Sequence, residues 1–121
     1  MKSREMYQEH ILENYRDPLN FGKLENATSS NQEFNPLCGD VISMQLIVED
    51  AKIKDVKFFG KGCAISIASA SLLTEKIKGM EIKDVEDIVR SDILDLIEIP
   101  ISSGRDKCAF LSLKTLRGAL I

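Results

Sequence analysis

Hydrophobic positions along this chain follow two different periods, and the changes between them mark out its elements. Apolar and polar residues alternate over Val41–Val48 and again over Ile53–Phe59, the spacing of a strand with one covered face. Only Glu49–Asp50–Ala51–Lys52 separates the two runs, so they are expected to pair as an antiparallel hairpin. Before and after them the period is helical. Met6, Tyr7, Ile11, Leu12 and Tyr15 make the apolar stripe of a helix that Ser3 caps and that runs to about Arg16. Asp17–Pro18 ends it, because the residue before a proline is pushed out of helical geometry.

A second helix is expected from about Cys63 to Lys78, with Ile65, Ala68, Leu72 and Leu73 inward and Gly79 as its stop. Small residues from Ala64 to Ser71 would let it approach the sheet closely. Two shorter helices follow at Ile82–Arg90 and Ser91–Ile97, then a loop marked by Pro100 and Gly104, then a last helix from about Asp106 to Leu120. Leu19–Leu37 is rich in Asn, Ser, Gly and Thr and reads as loop, with one short edge strand around Thr28–Phe34. No repeat, linker or low-complexity tract divides the chain. The expectation is a single α+β domain over residues 1–121, a small antiparallel sheet of about three strands packed against helices.

Composition narrows the class. The 121 residues are 44% hydrophobic and 29% charged, with a net charge of −3, the profile of a soluble globule rather than a nucleic-acid binder with a basic face. The opening MKSREMYQEH has no apolar core of the secretory type, and Ala64–Leu73 is too short and too rich in serine to span a membrane. Three cysteines make an odd number without short-range pairing, which suits a reducing, cytoplasmic setting better than a disulfide framework.

Those cysteines carry the candidate chemistry. Cys63 opens the second helix after Gly60–Lys61–Gly62, and Cys108 lies in the first turn of the last one. A helix N-terminus offers unpaired N–H groups and the positive end of the dipole, which favour a thiolate. Cys38 precedes the first long strand, and Asp40 stands two residues on. In extended chain those two side chains point the same way, with Gly39 between them leaving the backbone free to adjust. No CxxC occurs, so a zinc knuckle is excluded and the thiols can meet only through tertiary structure. Three thiolates and a carboxylate would suit tetrahedral zinc or an iron–sulfur cluster. The competing reading is that each cysteine is a small buried hydrophobe.

Four motifs then decide between these. ILENYRDPLNFG (Ile11–Gly22), CGD (Cys38–Asp40), GKGCAISIASASLLTE (Gly60–Glu75) and KCAFLSLKTLRGAL (Lys107–Leu120) together resemble the U-type iron–sulfur cluster assembly scaffolds, the IscU, SufU and NifU N-terminal family. The resemblance runs from about Tyr7 to the C-terminus. It implies that Cys38, Cys63 and Cys108 converge on one exposed site and hold a [2Fe–2S] cluster there, with Asp40 as fourth ligand or close neighbour. It also implies a pyridoxal-phosphate-dependent cysteine desulfurase that delivers sulfur as persulfide, and apo iron–sulfur proteins that accept the cluster. On that reading Cys108 is the persulfide acceptor and Lys107 stabilises its thiolate.

Two departures refine the picture. Lys107 stands where many Isc-branch scaffolds carry His, so the fourth position falls to Asp40. Lysine there is typical of the Suf branch, which includes zinc-bound sulfur acceptors, yet the stretch from Cys63 to Cys108 is too short for that branch's long insertion. The segment read by a dedicated heat-shock chaperone, LPPVK-like in the Isc branch, is replaced by Ile99–Pro100–Ile101–Ser102–Ser103, so chaperone-driven transfer is not expected. The alternative function is a zinc-bound sulfurtransferase. A thiol redox protein is weaker still, for want of a CxxC. His10, the single histidine, reads as a boundary residue far from these motifs. Lys61 reads as exposed, and Glu81–Asp95 as a solvated helical face.

Overall fold

The computed structural model describes residues 4–36, 39–98 and 106–120, with side chains from residue 9 onward. Its elements run α1 (Arg4–Arg16), β1 (Ser29–Asn35), β2 (Asp40–Glu49), β3 (Lys52–Lys61), α2 (Ala64–Ile77), α3 (Ile82–Glu86), α4 (Arg90–Ile97) and α5 (Asp106–Ala119). Ser3, the side chains of Met6 and Tyr7, Leu37, Cys38 and the segment 99–105 with Pro100 and Gly104 lie outside the described residues. The three strands form one antiparallel sheet in the order β1-β2-β3, so the α+β architecture expected from the pattern is the one observed.

The hairpin forms because Asp50 and Ala51 both take positive φ, 54° and 61°, between the paired residues Glu49 and Lys52. That backbone matches the twist of the strands it joins. Along β2 the even-numbered side chains Ile42, Met44 and Leu46 are fully buried, as period two requires. Along β3 the alternation slips: Ile53 and Val56, three apart, both face the core. The register shifts opposite Ile47/Val48, so Lys54 is an extra residue and the bulge restores the inward face for Val56 and Phe58.

The outer edge of β3 is occupied at both ends. Asn20 C=O accepts from Phe58 N–H and Gly22 N–H donates to Phe58 C=O, each at 2.9 Å. This bridge falls within the stretch expected to be loop. At the far end Gly79, with φ +81°, turns the chain so that Gly79 N–H donates to Ile53 C=O at 2.8 Å and Ile53 N–H to Met80 C=O at 2.9 Å. On the other side of the sheet, Gly118 lets α5 approach β1: a Cβ there would lie 1.9 Å from Asn31 Nδ2. Asn31 instead donates to Thr115 C=O at 3.1 Å.

The second helix differs from its expected stripe. Ala68 and Leu73 are buried, but Ile65 and Leu72 are only partly so, and Ile67, Ala70 and Ile77 are buried as well. The reason is that α2 is central. One face packs Ile67 and Ala70 on Ile42, Phe58 and Leu111. The opposite face sets Ala68, with Ile65 and Leu72, against Ile11 of α1 and Ile97 of α4. A helix covered on both sides has no single stripe to read. Its serines serve the packing too: Ser71 Oγ donates to Asn14 Oδ1 and accepts from Leu19 N–H, both at 2.8 Å.

Phe58 joins these layers, fully buried and edge-to-face with Phe21 at 5.3 Å and 85°. Phe58→Ala should therefore cost about 3–5 kcal/mol of folding stability, the usual range for an emptied aromatic core site. Phe21→Ala, at a ring 47% exposed, should cost about 1 kcal/mol. Urea unfolding of the two variants measures both, and equal losses would contradict this account of the core.

Candidate metal centre

The hairpin and two helices bring one end of the sheet to a point. β2 begins where β3 ends, with Val41 paired to Lys61, and Gly62 and Cys63 then lead directly into α2. Cys63 is the N-cap of that helix, in extended conformation and without a side-chain cap. Cys108, third residue of α5, comes to the same end. One carboxylate oxygen of Asp40 and the Sγ atoms of Cys63 and Cys108 all lie within 4.8 Å of one another. Among the described residues, neither cysteine is in a disulfide. Three of the four expected site residues thus meet, and Cys38 lies outside the described residues.

The carboxylate of Asp40 does more than point at the thiols. Oδ1 accepts the backbone N–H of Cys63 at 3.2 Å, and Oδ2 accepts the hydroxyl of Ser66 at 2.6 Å. Asp40 therefore satisfies the N-cap N–H of α2 from the neighbouring strand, one of the donors a helix start leaves unpaired. Ser66 Oγ also lies 3.5 Å from Cys63 Sγ. Gly62 makes room: a Cβ on it would fall 2.9 Å from both Cγ and Oδ1 of Asp40, so any larger residue would displace the carboxylate. Upstream, Gly39 takes φ +72° and donates its N–H to Asn35 C=O at 2.9 Å, a turn that delivers Asp40 into the strand.

One expectation is corrected. The site was expected to be exposed, yet Asp40 and Cys108 are each 2% exposed and Cys63 is half-buried. The hairpin, α2 and α5 close over the groups they bring together. Lys107 is exposed beside Cys108 in the chain, and it lines a cavity of about 500 Å³ with Phe34, Arg90, Phe110 and Lys114. His10 stands apart from the cluster. Its Nε2 is 3.2 Å from Leu96 C=O and 3.4 Å from a carboxylate oxygen of Glu98, linking α1 to the end of α4. Lys61 is exposed, as expected. Among the described residues, no helix is long and apolar enough to cross a membrane.

Ser66 and Gly62 are the contributors that the sequence reading passed over. Ser66 is one of three serines in the first turns of α2, and only its place three residues after the N-cap separates it from the rest. That is the spacing of a capping box, and it was the available signal.

Two soft thiols and a harder carboxylate in this compass can hold a thiophilic ion such as zinc or iron. The NifU-like N-terminal domain model matches residues 6–121, and the chain belongs to that family. It is 39% identical to the iron–sulfur cluster assembly scaffold protein IscU of Thermotoga maritima, over 95% of this chain and 92% of that protein. It is 35% identical to the zinc-dependent sulfurtransferase SufU of Bacillus subtilis, over 92% of this chain and 86% of that one. Those alignments run to 132 and 128 positions, more than the 121 residues available, so both relatives carry residues this chain lacks. The crystal structure of SufU from Fervidobacterium islandicum AW-1 superposes with a TM-score of 0.83 at 29% identity, covering 99% of this chain and all of that one.

The proximity of the two described thiols is testable without any metal. In a Cys38→Ser variant, phenylarsine oxide should bind one equivalent per chain and protect both Cys63 and Cys108 from alkylation, since a trivalent arsenical bridges two adjacent thiols. Independent alkylation of the two in its presence would contradict the geometry.

Proposed function

We propose that this protein is a scaffold on which a [2Fe–2S] cluster is assembled from iron and persulfide sulfur and then passed to apo-proteins. The observation that carries the reading is the meeting of Asp40, Cys63 and Cys108 within 4.8 Å, in a chain whose relatives include named assembly scaffolds. Cys38, next to Gly39 and two residues from Asp40, is proposed as the third thiol ligand. The whole of residues 1–121 would then serve as one scaffold domain, working in the cytoplasm.

Each group has a task that follows from its chemistry. The thiolates of Cys38, Cys63 and Cys108 bind iron durably. Asp40 offers a harder oxygen that an incoming thiol displaces more readily, so assembly and release are both possible. The sulfur donor is a pyridoxal-phosphate-dependent cysteine desulfurase. The thiolate of Cys108 attacks the outer sulfur of the donor's persulfide, the donor's S–S bond breaks, and the donor cysteine departs as thiolate. Lys107, exposed beside it, supplies positive charge to the approach. Since Cys108 is 2% exposed, the groups around it must shift as the donor docks.

A second reading has its own support. The identity to the Bacillus sulfurtransferase is 35%, and two thiols with a carboxylate suit tetrahedral zinc. The protein would then carry zinc and accept sulfur on Cys38. The length difference does not separate the readings, because the Thermotoga scaffold shares it.

Reconstitution with iron, cysteine and a desulfurase tests the choice. A scaffold develops visible absorbance and carries persulfide on Cys108 by mass spectrometry. A colourless zinc protein modified on Cys38 alone would establish the sulfurtransferase instead. Asp40→Ala should still assemble a cluster but transfer it to apo-ferredoxin more slowly, and Asp40→Cys should retain it longest, as followed by circular dichroism. Because Asp40 is buried and accepts two hydrogen bonds, Asp40→Ala should also lose about 1–3 kcal/mol of stability. Transfer at the parent rate in both variants would remove the carboxylate from the release step.

A further inference from the structure

We propose that Ser66 is a positioning residue for the metal centre, setting which lone pairs of Asp40 face the thiols. The proposal rests on the reading of Asp40, Cys63 and Cys108 as a metal-binding set. A carboxylate on a single strand side chain is free to rotate about its last torsion, which is broad. Here two hydrogen bonds remove that freedom. The Cys63 N–H holds Oδ1 at 3.2 Å and the Ser66 hydroxyl holds Oδ2 at 2.6 Å, beside Gly62, where a Cβ would fall 2.9 Å from the carboxylate carbon.

Of these contacts the one from Ser66 depends on a side chain, and it is the shorter. Its length is that of a charge-assisted O–H···O⁻ bond, so the single hydroxyl proton is committed to Asp40 rather than to the Cys63 sulfur 3.5 Å away. Ser66 is fully buried, so bulk water does not compete for its hydroxyl. Each carboxylate oxygen keeps a second lone pair, so Asp40 can bind a metal without surrendering its two donors. The hydroxyl fixes where that lone pair points. Partners of this kind around a ligating carboxylate typically change metal affinity about 10–100-fold.

The same contact also ties the first turn of α2 to the strand, so the test must separate holding the helix from aiming the ligand. Cobalt(II), read by its thiolate charge-transfer absorbance under chelator competition, is the probe. The set is the parent protein, Ser66→Ala, Ser66→Thr, Asp40→Ala and the Asp40→Ala/Ser66→Ala pair, with thermal melting of each. Ser66→Ala should weaken cobalt binding about 10-fold. Ser66→Thr, which keeps the hydroxyl, should recover most of that loss. In the Asp40→Ala background the Ser66 substitution should have no further effect on affinity, because Ser66 acts through Asp40. Alanine is a good helix former, so Ser66→Ala retains the fold. A lower melting temperature with unchanged affinity would overturn the proposal and leave Ser66 a tie between helix and strand. An equal loss with and without Asp40 would overturn it too. If the parent shows no thiolate-to-cobalt band, the metal-site reading itself falls, an outcome distinct from either.

Discussion

The carboxylate of Asp40, set against the first turn of α2, is the contact on which the rest of this structure turns. A helix beginning inside a protein leaves backbone donors without partners, and burying them unsatisfied is costly. Cys63 stands at the N-cap but caps nothing with its own side chain. Asp40 reaches across from β2 and supplies the acceptor, which ties the sheet to its central helix at one fixed height. The constraint that closes the fold is therefore also what brings a carboxylate oxygen beside two sulfurs.

From that junction the packing follows. With its start fixed, α2 runs along the sheet with α1 and α4 on its other side, and only small residues fit where both faces are covered. Ala68, Ser69, Ala70 and Ser71 are all buried. Their hydroxyls are absorbed unevenly: Ser71 links α1 and the following loop, whereas Ser69 Oγ has no hydrogen-bond partner among the described residues. Close approach of helix to sheet is bought here with small side chains that carry polar atoms.

The sequence showed much of this architecture, and the misses have physical causes. The β2–β3 hairpin was legible because one face is covered and period two holds along most of both strands. The bulge at Lys54 was not, since one extra residue looks like ordinary imperfection in the alternation. The stripe assigned to α2 mixed its two covered faces, because amphipathic patterning presumes a wet side. The short bridge at Phe21 left no signal of its own, being a few residues of loop that borrow the edge of another strand. At the site, Cys63 and Cys108 announced themselves by standing at helix starts, and Asp40 by its CGD setting. Burial of the group could not be read, because it depends on how α2 and α5 close over the strand ends. Ser66 was hidden among chemically identical neighbours.

The occupied edge of β3 has a consequence for how this molecule meets others. A three-stranded sheet has two outer strands, and an unpaired row of N–H and C=O groups invites another chain to continue the ladder. On β3 that row is interrupted twice, by Asn20–Gly22 beside Phe58 and by the Gly79–Ile82 turn beside Ile53. Strand-on-strand annealing is blocked there before it starts. Contacts made along that side of the molecule therefore fall to side chains, which part quickly, rather than to a backbone zipper, which does not.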